Sequence, residues 1–440
     1  MNYISRVLQD FRTFWREPNW TKLLALIVLG LPPGLIFVFI LNTLQFWLNA
    51  YNLTKVTIGM FSLAILPNAV KFIWAPFLEI IKFPILSRYL PNRYAWSISL
   101  CIFIILTLSI LSFQSPNKSI EFVFFLVLML STLTASLEVN LDAIRIELVP
   151  KKQQGYASSF YAFGYRIGTI IGAFGVLYVS EYFSWKVAFL FIIGILVFIG
   201  IFLYICALFF SDNRVTKAKK IAMIGPAMGS YKEKFIKAKK RFKEPFLSFI
   251  KSKNWLSILF FIFVFRMGDN FINNMSNIFY LDIGFTQLDI ANVVKFFGVF
   301  FTIVGSFIGG YLVMKCQDIK ALLFSGVVHV ISNFMYLIQS YVGYNLSLFY
   351  IAVAIESVTS GMVTIAFVAY LSNLCKKPYT GSHYALFSSI WYLSTSCSAF
   401  GGVLASYFSW PVFFILCIVL GFASIFFLFF CQKSLVNPNK

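Results

Sequence analysis

Charge is what this chain has least of. Only 12% of its 440 residues are Asp, Glu, Lys or Arg, about half the share of a soluble domain. Acids are the scarcest, with 16 Asp+Glu against 36 Lys+Arg, and there are only 2 His. So few charges cannot cover a water-soluble protein of this size, which excludes a cytosolic enzyme. The seven Cys are scattered and show no CxxC or Cys/His spacing, so neither a disulfide framework nor a zinc site is expected. No nucleophile elbow, P-loop or dinucleotide fingerprint occurs. Those absences argue against a hydrolase, an ATP-driven pump and a nicotinamide enzyme, and no cofactor or metal is expected. The first apolar run begins near Trp20, after a charged lead-in, and is too long for the core of a cleaved signal peptide.

What fills the chain instead is apolar mass: 60% of residues are hydrophobic and 19% aromatic, alongside a net charge of +20. A nucleic-acid footprint would account for the charge but not for the apolar mass. Both fit if the apolar residues lie in lipid and the basic ones in loops on one side. Apolar runs read at 20–48, 54–78, 94–114, 120–144, 155–180, 186–211, 254–280, 290–314, 320–340, 346–374, 383–406 and 411–431. Each is near the length of about 20 residues that crosses a bilayer as a helix. Helices are expected because they satisfy their own backbone in lipid. The unbroken run at 190–210 is nothing like the alternating segments of a membrane β-barrel.

Basic residues set the orientation. With the N-terminus inside, the inner segments hold Arg6, Arg12, Arg16, Lys22, Lys82, Arg88, Arg93, Arg145, Lys151, Lys152, Lys315, Lys320, Lys376, Lys377, Lys433 and Lys440. The outer segments hold only Lys55, Lys118 and Lys186. This positive-inside bias predicts two cytoplasmic termini. The expected order is a cytoplasmic amphipathic lead-in (1–19), an N-terminal six-helix bundle (20–211) and a basic cytoplasmic loop (212–253). A C-terminal six-helix bundle (254–431) and a short cytoplasmic tail (432–440) follow. The basic loop suits anionic lipid headgroups. Its Phe235, Phe242, Phe246 and Phe249 suggest an interfacial helix.

The two halves repeat each other. KKQQGYASSFYAFGYR, then AFG, then YFSW ending at Trp185, returns as KKPYTGSHYALFSSIW, AFGG and YFSW ending at Trp410, an offset of about 225 residues. With six spans in each half, equivalent spans point the same way. That is the parallel repeat of major-facilitator transporters, with the substrate site between the halves near the midplane. The expected fold class is therefore an all-α polytopic membrane protein with the major-facilitator fold.

A charge at bilayer depth is costly and normally faces a cavity or a partner. The candidates are Lys71 in span 2, Glu138 and Asp142 in span 4, Arg166 in span 5, Arg266 and Asp269 in span 7, Lys295 in span 8 and Glu356 in span 10. Spans 3, 6, 9 and 12 carry no interior acid, Lys or Arg, as expected for lipid-facing helices. In span 1, Asn42 and Gln45 follow Pro32-Pro33, which suggests a polar, kinked cavity wall.

Glu138 and Asp142 lie four apart on one helix face. Two carboxylates that close resist being charged together, which is what a proton carrier needs. The competing reading pairs them with Arg145 or Arg166. Arg266 and Asp269, three apart, could pair locally. Glu356 has no opposite charge nearby in sequence. The Arg166 guanidinium suits an anionic substrate, and Lys71 is near enough to the inner edge to snorkel. His329 on span 9 reads as structural. His383 opens span 11 at the inner face, where a gating role competes with a structural one. The loop from Trp74 to Arg93 occupies the place of the major-facilitator gating motif, with Glu79, Arg88 and Arg93 as its charges and Arg145 nearby, but without the motif's glycine. GSFIGG (Gly305–Gly310) lies inside span 8 and reads as close helix packing.

Several segments together resemble the muropeptide permease AmpG family of the major facilitator superfamily. They are KFIWAPFLE (Lys71–Glu79), LEVNLDAIRIELVP (Leu137–Pro150), GYRIG (Gly164–Gly168), FRMGDNF (Phe265–Phe271), VVKFFGVFFTIVGSFIGG (Val293–Gly310) and ESVTSGMVTIAFVAYLSNLC (Glu356–Cys375). The resemblance implies uptake of anhydro-muropeptides across the bacterial inner membrane by proton symport, by a monomer. It places Glu138, Asp142, Arg166, Asp269, Lys295 and Glu356 on polar positions of the family pattern. It also implies departures: Glu138 stands for an expected Asp, Arg266 for a common Lys, His383 for a Gln-like residue, and Asn140 adds an amide. Another anionic cargo, such as an acyl-coenzyme A or a nucleotide-like solute, would use the same basic residues. A membrane sensor or membrane-embedded enzyme is the reading from another class.

One expectation on topology is directly testable. An epitope or cysteine added at either terminus is expected to resist impermeant label in intact cells and to react after the membrane is opened. Labelling from outside would refute the orientation.

Overall fold

The computed structural model describes residues 20–210, 243–251, 254–316, 318–397 and 400–430. Among these every regular element is helical. Ten helices are long and apolar enough to cross a membrane. They are span 1 (Trp20–Ala50), span 3 (Asn92–Ser112), span 4 (Ile120–Leu148), span 5 (Lys151–Tyr182) and span 6 (Trp185–Phe210) in the first half. In the second half they are span 7 (Trp255–Asp282), span 8 (Leu288–Lys315), span 9 (Asp318–Val342), span 10 (Leu346–Leu374) and span 12 (Trp410–Phe429).

Spans 2 and 11 complete the expected set, and neither is continuous. Span 2 is a chain of short pieces: Lys55–Met60, Phe61–Ile65, Leu66–Val70, Lys71–Ile73 and Ala75–Ile80, with the second and fourth in the tighter 3-10 form. Pro67 and Pro76 open the third and fifth pieces. Proline lacks an N–H and crowds the carbonyl four residues back, so it starts a helix more readily than it continues one. Span 11 runs as Thr380–Ser396 and then Phe400–Tyr407. The lead-in, most of the inter-half loop and the tail lie outside the described residues, as do Phe235 and Phe242.

Glycine decides which helices approach most closely. Spans 1 and 5 meet through Gly30 and Gly34 on one side and Gly164, Gly168 and Gly172 on the other. A Cβ on Gly164 would lie 1.9 Å from the Ile27 carbonyl oxygen, so no larger residue fits this separation. Both helices widen to a π-helical turn at the contact, Phe39–Thr43 and Ile171–Gly175. There the buried Thr43 Oγ1 donates to the Gly172 carbonyl at 2.6 Å, supplying a partner to a backbone group in lipid. In the second half the glycine contact falls on a different pair. Gly305 and Gly309 of span 8 pack on the Val358 and Met362 backbone of span 10, and Gly361 packs back on Thr302. The GSFIGG run is thus a packing surface.

Each half has its own apolar core. Outside, spans 6 and 12 present Phe198, Ile201, Phe209, Val419 and Phe426 to their surroundings, as lipid-facing helices should. Span 9 departs from that expectation. It is interrupted between Ser332 and Phe334 and buries both His329 and Asn333.

A helix over 243–250 ends the inter-half loop. Its phenylalanines seat on protein: Phe246 meets the Phe72 ring of span 2, and Phe249 meets Phe387 of span 11. These two side chains bridge the two halves.

Gly164→Leu is expected to force spans 1 and 5 apart. Overpacking of this kind costs about 1–3 kcal/mol or more. A lower unfolding temperature in detergent, with loss of monodisperse protein, would register it.

Candidate functional site

The halves touch at one end. There the first turn of span 5 meets the last turns of span 8, and a Cβ on Gly155 would lie 2.6 Å from the Gly310 carbonyl oxygen. Ser159 Oγ donates to the Ser306 carbonyl at 2.7 Å, and Phe160 sets its ring edge-on to Phe307. Glu79, at the end of span 2, reaches the start of span 11. Its carboxylate accepts from the Gly381 backbone N–H at 2.7 Å and from the Ser382 hydroxyl. The helix N-terminus leaves that N–H without an intrahelical partner, and its dipole favours the negative charge. Arg93 holds the same carboxylate from behind at 3.1 Å and pairs with Glu147 at 2.7 Å.

Arg145 makes a second joint. It is fully buried and donates to Ser158 at 2.8 Å within its own half and to Ser372 of span 10 at 3.1 Å. Its guanidinium lies over Tyr161 from one half and Tyr384 from the other. Asp142, at 3.4 Å, is its carboxylate partner. The ring contact of Phe37 with Tyr392, near mid-membrane, is the last toward the opposite end. Beyond it no ring contact, hydrogen bond or ion pair among the described residues joins the halves. The space between the bundles therefore closes at the end carrying the basic loops and parts toward the other.

Within the first half, Lys71 is buried and its Nζ donates to Glu138 at 2.7 Å. The 3-10 turn Lys71–Ile73 turns it inward, beneath the Tyr392 ring. The snorkelling expected for Lys71 is therefore corrected: span 2 is broken here, and the side chain turns inward to Glu138. The Glu138–Asp142 pair is likewise not an isolated carboxylate pair, because each acid has its own cation, Lys71 and Arg145. Removing Glu138 alone would strand a buried ammonium, at a cost of about 3–5 kcal/mol. Glu138 also lines a small recess with Pro33, Phe37, Asn68, Tyr165 and Tyr392. Arg166 sits half-buried one residue beyond Tyr165, and no carboxylate among the described residues pairs with it.

The second half carries a denser polar cluster. Asp269 Oδ2 lies 3.1 Å from both Arg266 Nε and His329 Nε2, and its Oδ1 accepts from Asn333 at 3.0 Å. Both 3.1 Å approaches lie off the N–H axis, so they act as charge contacts more than as aligned hydrogen bonds. Arg266 Nη1 donates to Thr364 at 3.0 Å. Glu356 is half-buried beside this cluster, within electrostatic reach of His329, Asp269 and Arg266, and makes no ion pair among the described residues.

The other expected residues scatter. Arg88 is exposed on its loop, outside the joint, because the 3-10 turn Leu86–Arg88 ends with it facing out. Asn42 is exposed and Gln45 half-buried at the parted end. The Lys295 side chain lies outside the described residues. Sequence reasoning missed Glu147, Gly381, Ser382, Ser372 and Asn333. Only the last left a signal: His329 and Asn333, four apart, share one face of an otherwise apolar span.

The Major Facilitator Superfamily profile matches residues 34–396 and again 258–439. A Rickettsia bellii protein named "Putative transporter AmpG 2" is 31% identical over 91% of this chain and 94% of its own length. A Rickettsia felis relative, of the same name but numbered 4, is 28% identical over 98% of this chain and 99% of its own. The chain belongs to the AmpG family of the major facilitator superfamily. Among solved structures, the proton:xylose symporter XylE bound to 6-bromo-6-deoxy-D-glucose superposes with a TM-score of 0.69 at 12% identity, covering 95% of this chain and 97% of that one. At that identity the likeness shows the fold. This AmpG-family chain is thus a multi-pass transporter, whose joint at the closed end runs between its two repeats.

Glu79→Ala removes the acid that holds the start of span 11. The native Cys375, buried behind that joint, is expected to react several-fold faster with a maleimide in the variant, read by peptide mass spectrometry. An unchanged rate would mean that Gly155 and Gly310 suffice to keep the end closed.

Proposed function

We propose that this transporter carries an anhydro-muropeptide into the cytoplasm of a bacterium by proton symport with alternating access, in the inner membrane and with both termini inside. The observation that carries the reading is Arg166, a half-buried guanidinium on span 5 beside Tyr165, with no acid to neutralise it among the described residues. A lone cation there is costly until an anion arrives, and the planar fork matches a carboxylate such as those of a muramyl lactyl group or a stem peptide. Tyr165, its neighbour, and Tyr392 line the recess that holds Glu138, and supply aromatic surface for a sugar ring. The names of the relatives support an AmpG-type cargo.

With the basic loops inside, the closed end is the cytoplasmic gate, built on Glu79, Arg93 and Arg145, and the cavity faces outward. Closing the outer end would need the Glu79–Gly381 and Arg145–Ser372 contacts to release, so substrate binding and gate opening would exchange one set of contacts for another. Glu356, within electrostatic reach of His329, Asp269 and Arg266 and without an ion pair among the described residues, belongs to the coupling cluster in this reading.

Uptake of labelled anhydro-muropeptide into proteoliposomes, with and without an inward pH gradient, tests the whole reading. Accumulation is expected only with the gradient. No uptake under either condition would overturn it, and uptake of a nucleotide-like anion in its place would move the cargo to that class. Arg166→Ala is expected to raise KM by about ten- to hundredfold, the loss of one charge-assisted hydrogen bond. Arg166→Lys should recover part of that. Glu356→Gln is expected to abolish gradient-driven accumulation while sparing exchange.

A further inference from the structure

We propose that His329 holds the coupled proton, as a doubly protonated ring beside Asp269. This rests on the proton-symport reading and names the group that would carry it. His329 is 2% exposed and lies on a span that otherwise reads as a lipid-facing helix. A buried imidazole there needs both nitrogens accounted for.

His329 Nδ1 lies 3.0 Å from Thr359 Oγ1. Thr359 also contacts Ser332 Oγ at 2.7 Å and the Glu356 carbonyl at 3.0 Å, and Ser332 reaches the His329 carbonyl at 2.7 Å. A hydroxyl both donates and accepts, so Thr359 serves the ring in either neutral tautomer. Nε2 sits 3.1 Å from a carboxylate oxygen of Asp269. A second ring proton makes both nitrogens donors and sets a cation beside that carboxylate.

The titratable groups facing the pair come from every helix packed on it. Span 7 brings Arg266, which shares the same Asp269 oxygen, and Tyr280. Span 10 brings Glu356, the end of span 9 brings Tyr336, and span 12 brings the Cys417 thiol. Span 8 carries Tyr311 and Lys315 at its loop end. Loading moves a proton from hydronium to the unprotonated ring nitrogen: one O–H bond breaks, one N–H bond forms, and water leaves. Counted over the described residues, the cluster then holds His329 and Arg266 as cations against Asp269 and Glu356 as anions, and is neutral. Release returns the proton to water and leaves Arg266 alone with Asp269, one negative charge in excess. A neutral cluster costs less to enclose when the cavity closes around it. The loaded state is therefore the one that can be occluded.

The chain has 2 His in all. His383→Gln therefore leaves His329 as its sole imidazole, and nitrogen-15 histidine labelling reports that ring without substrate. In liposomes, solid-state NMR is expected to show both nitrogens protonated at acidic pH and one released as pH rises, with the transition moved in the added variant Asp269→Asn. In the otherwise native chain, His329→Gln is expected to keep substrate exchange and lose gradient-driven accumulation. A ring that keeps one protonation state across the range where imidazole ordinarily titrates would overturn the proposal. So would full accumulation by His329→Gln. A titrating His329 in a protein that accumulates another anion under the gradient, and no muropeptide, would overturn the muropeptide reading and leave this one standing.

Discussion

The cost of a charge away from water organises this molecule. An ionisable group in lipid must find a partner, a cavity or water, and nearly every membrane-embedded charge described here has found a partner. Lys71 holds Glu138, Arg145 holds Asp142, and Arg266 holds Asp269. Against that background the exceptions stand out. Arg166 in the first half and Glu356 in the second lack an ion-pair partner among the described residues. A transporter needs such sites, because a binding group already satisfied by the protein has little to gain from a substrate.

The same constraint shapes the joint between the halves. Pairs confined to one half, such as Arg266 with Asp269, are indifferent to how the bundles rock. Contacts across the halves are of another kind. The Glu79 carboxylate meets a backbone N–H and a hydroxyl, Arg145 meets a hydroxyl and two aromatic faces, and glycine meets glycine. Each is modest, and each leaves behind groups that retain partners in their own half, as Glu79 retains Arg93 and Arg145 retains Asp142. The joint can therefore part without stranding a buried charge, whereas breaking a pair such as Lys71–Glu138 would.

The repeat visible in the sequence hides an asymmetry. In the first half the glycine seam joins spans 1 and 5; in the second it joins spans 8 and 10, which are not the equivalent pair. The first half spreads its charges over separate ion pairs along the cavity. The second gathers them around Asp269, with help from span 9. One repeat thus carries most of the joint and the free guanidinium, and the other carries the cluster suited to a proton.

Twelve spans, their two-fold repeat and the family were legible in the residues, because hydrophobic runs, basic loops and the ordered motifs are local signals. The helical character of each run is set by backbone chemistry in lipid, whatever the neighbours. Which charges pair was not legible. Glu138 and Asp142 are close in sequence, yet their cations come from span 2 and from the next turn of span 4. Glu79 finds Gly381 and Ser382 across some 300 residues. His329 read as a bystander because its helix is otherwise apolar, and only the packing of span 9 against spans 7 and 10 turns its ring toward Asp269. Sequence by itself determined the elements and the price of every charge within them. Tertiary structure decided which charges meet and which stay unpaired, because Coulomb and hydrogen-bond energies depend on distances between helices that no local pattern encodes.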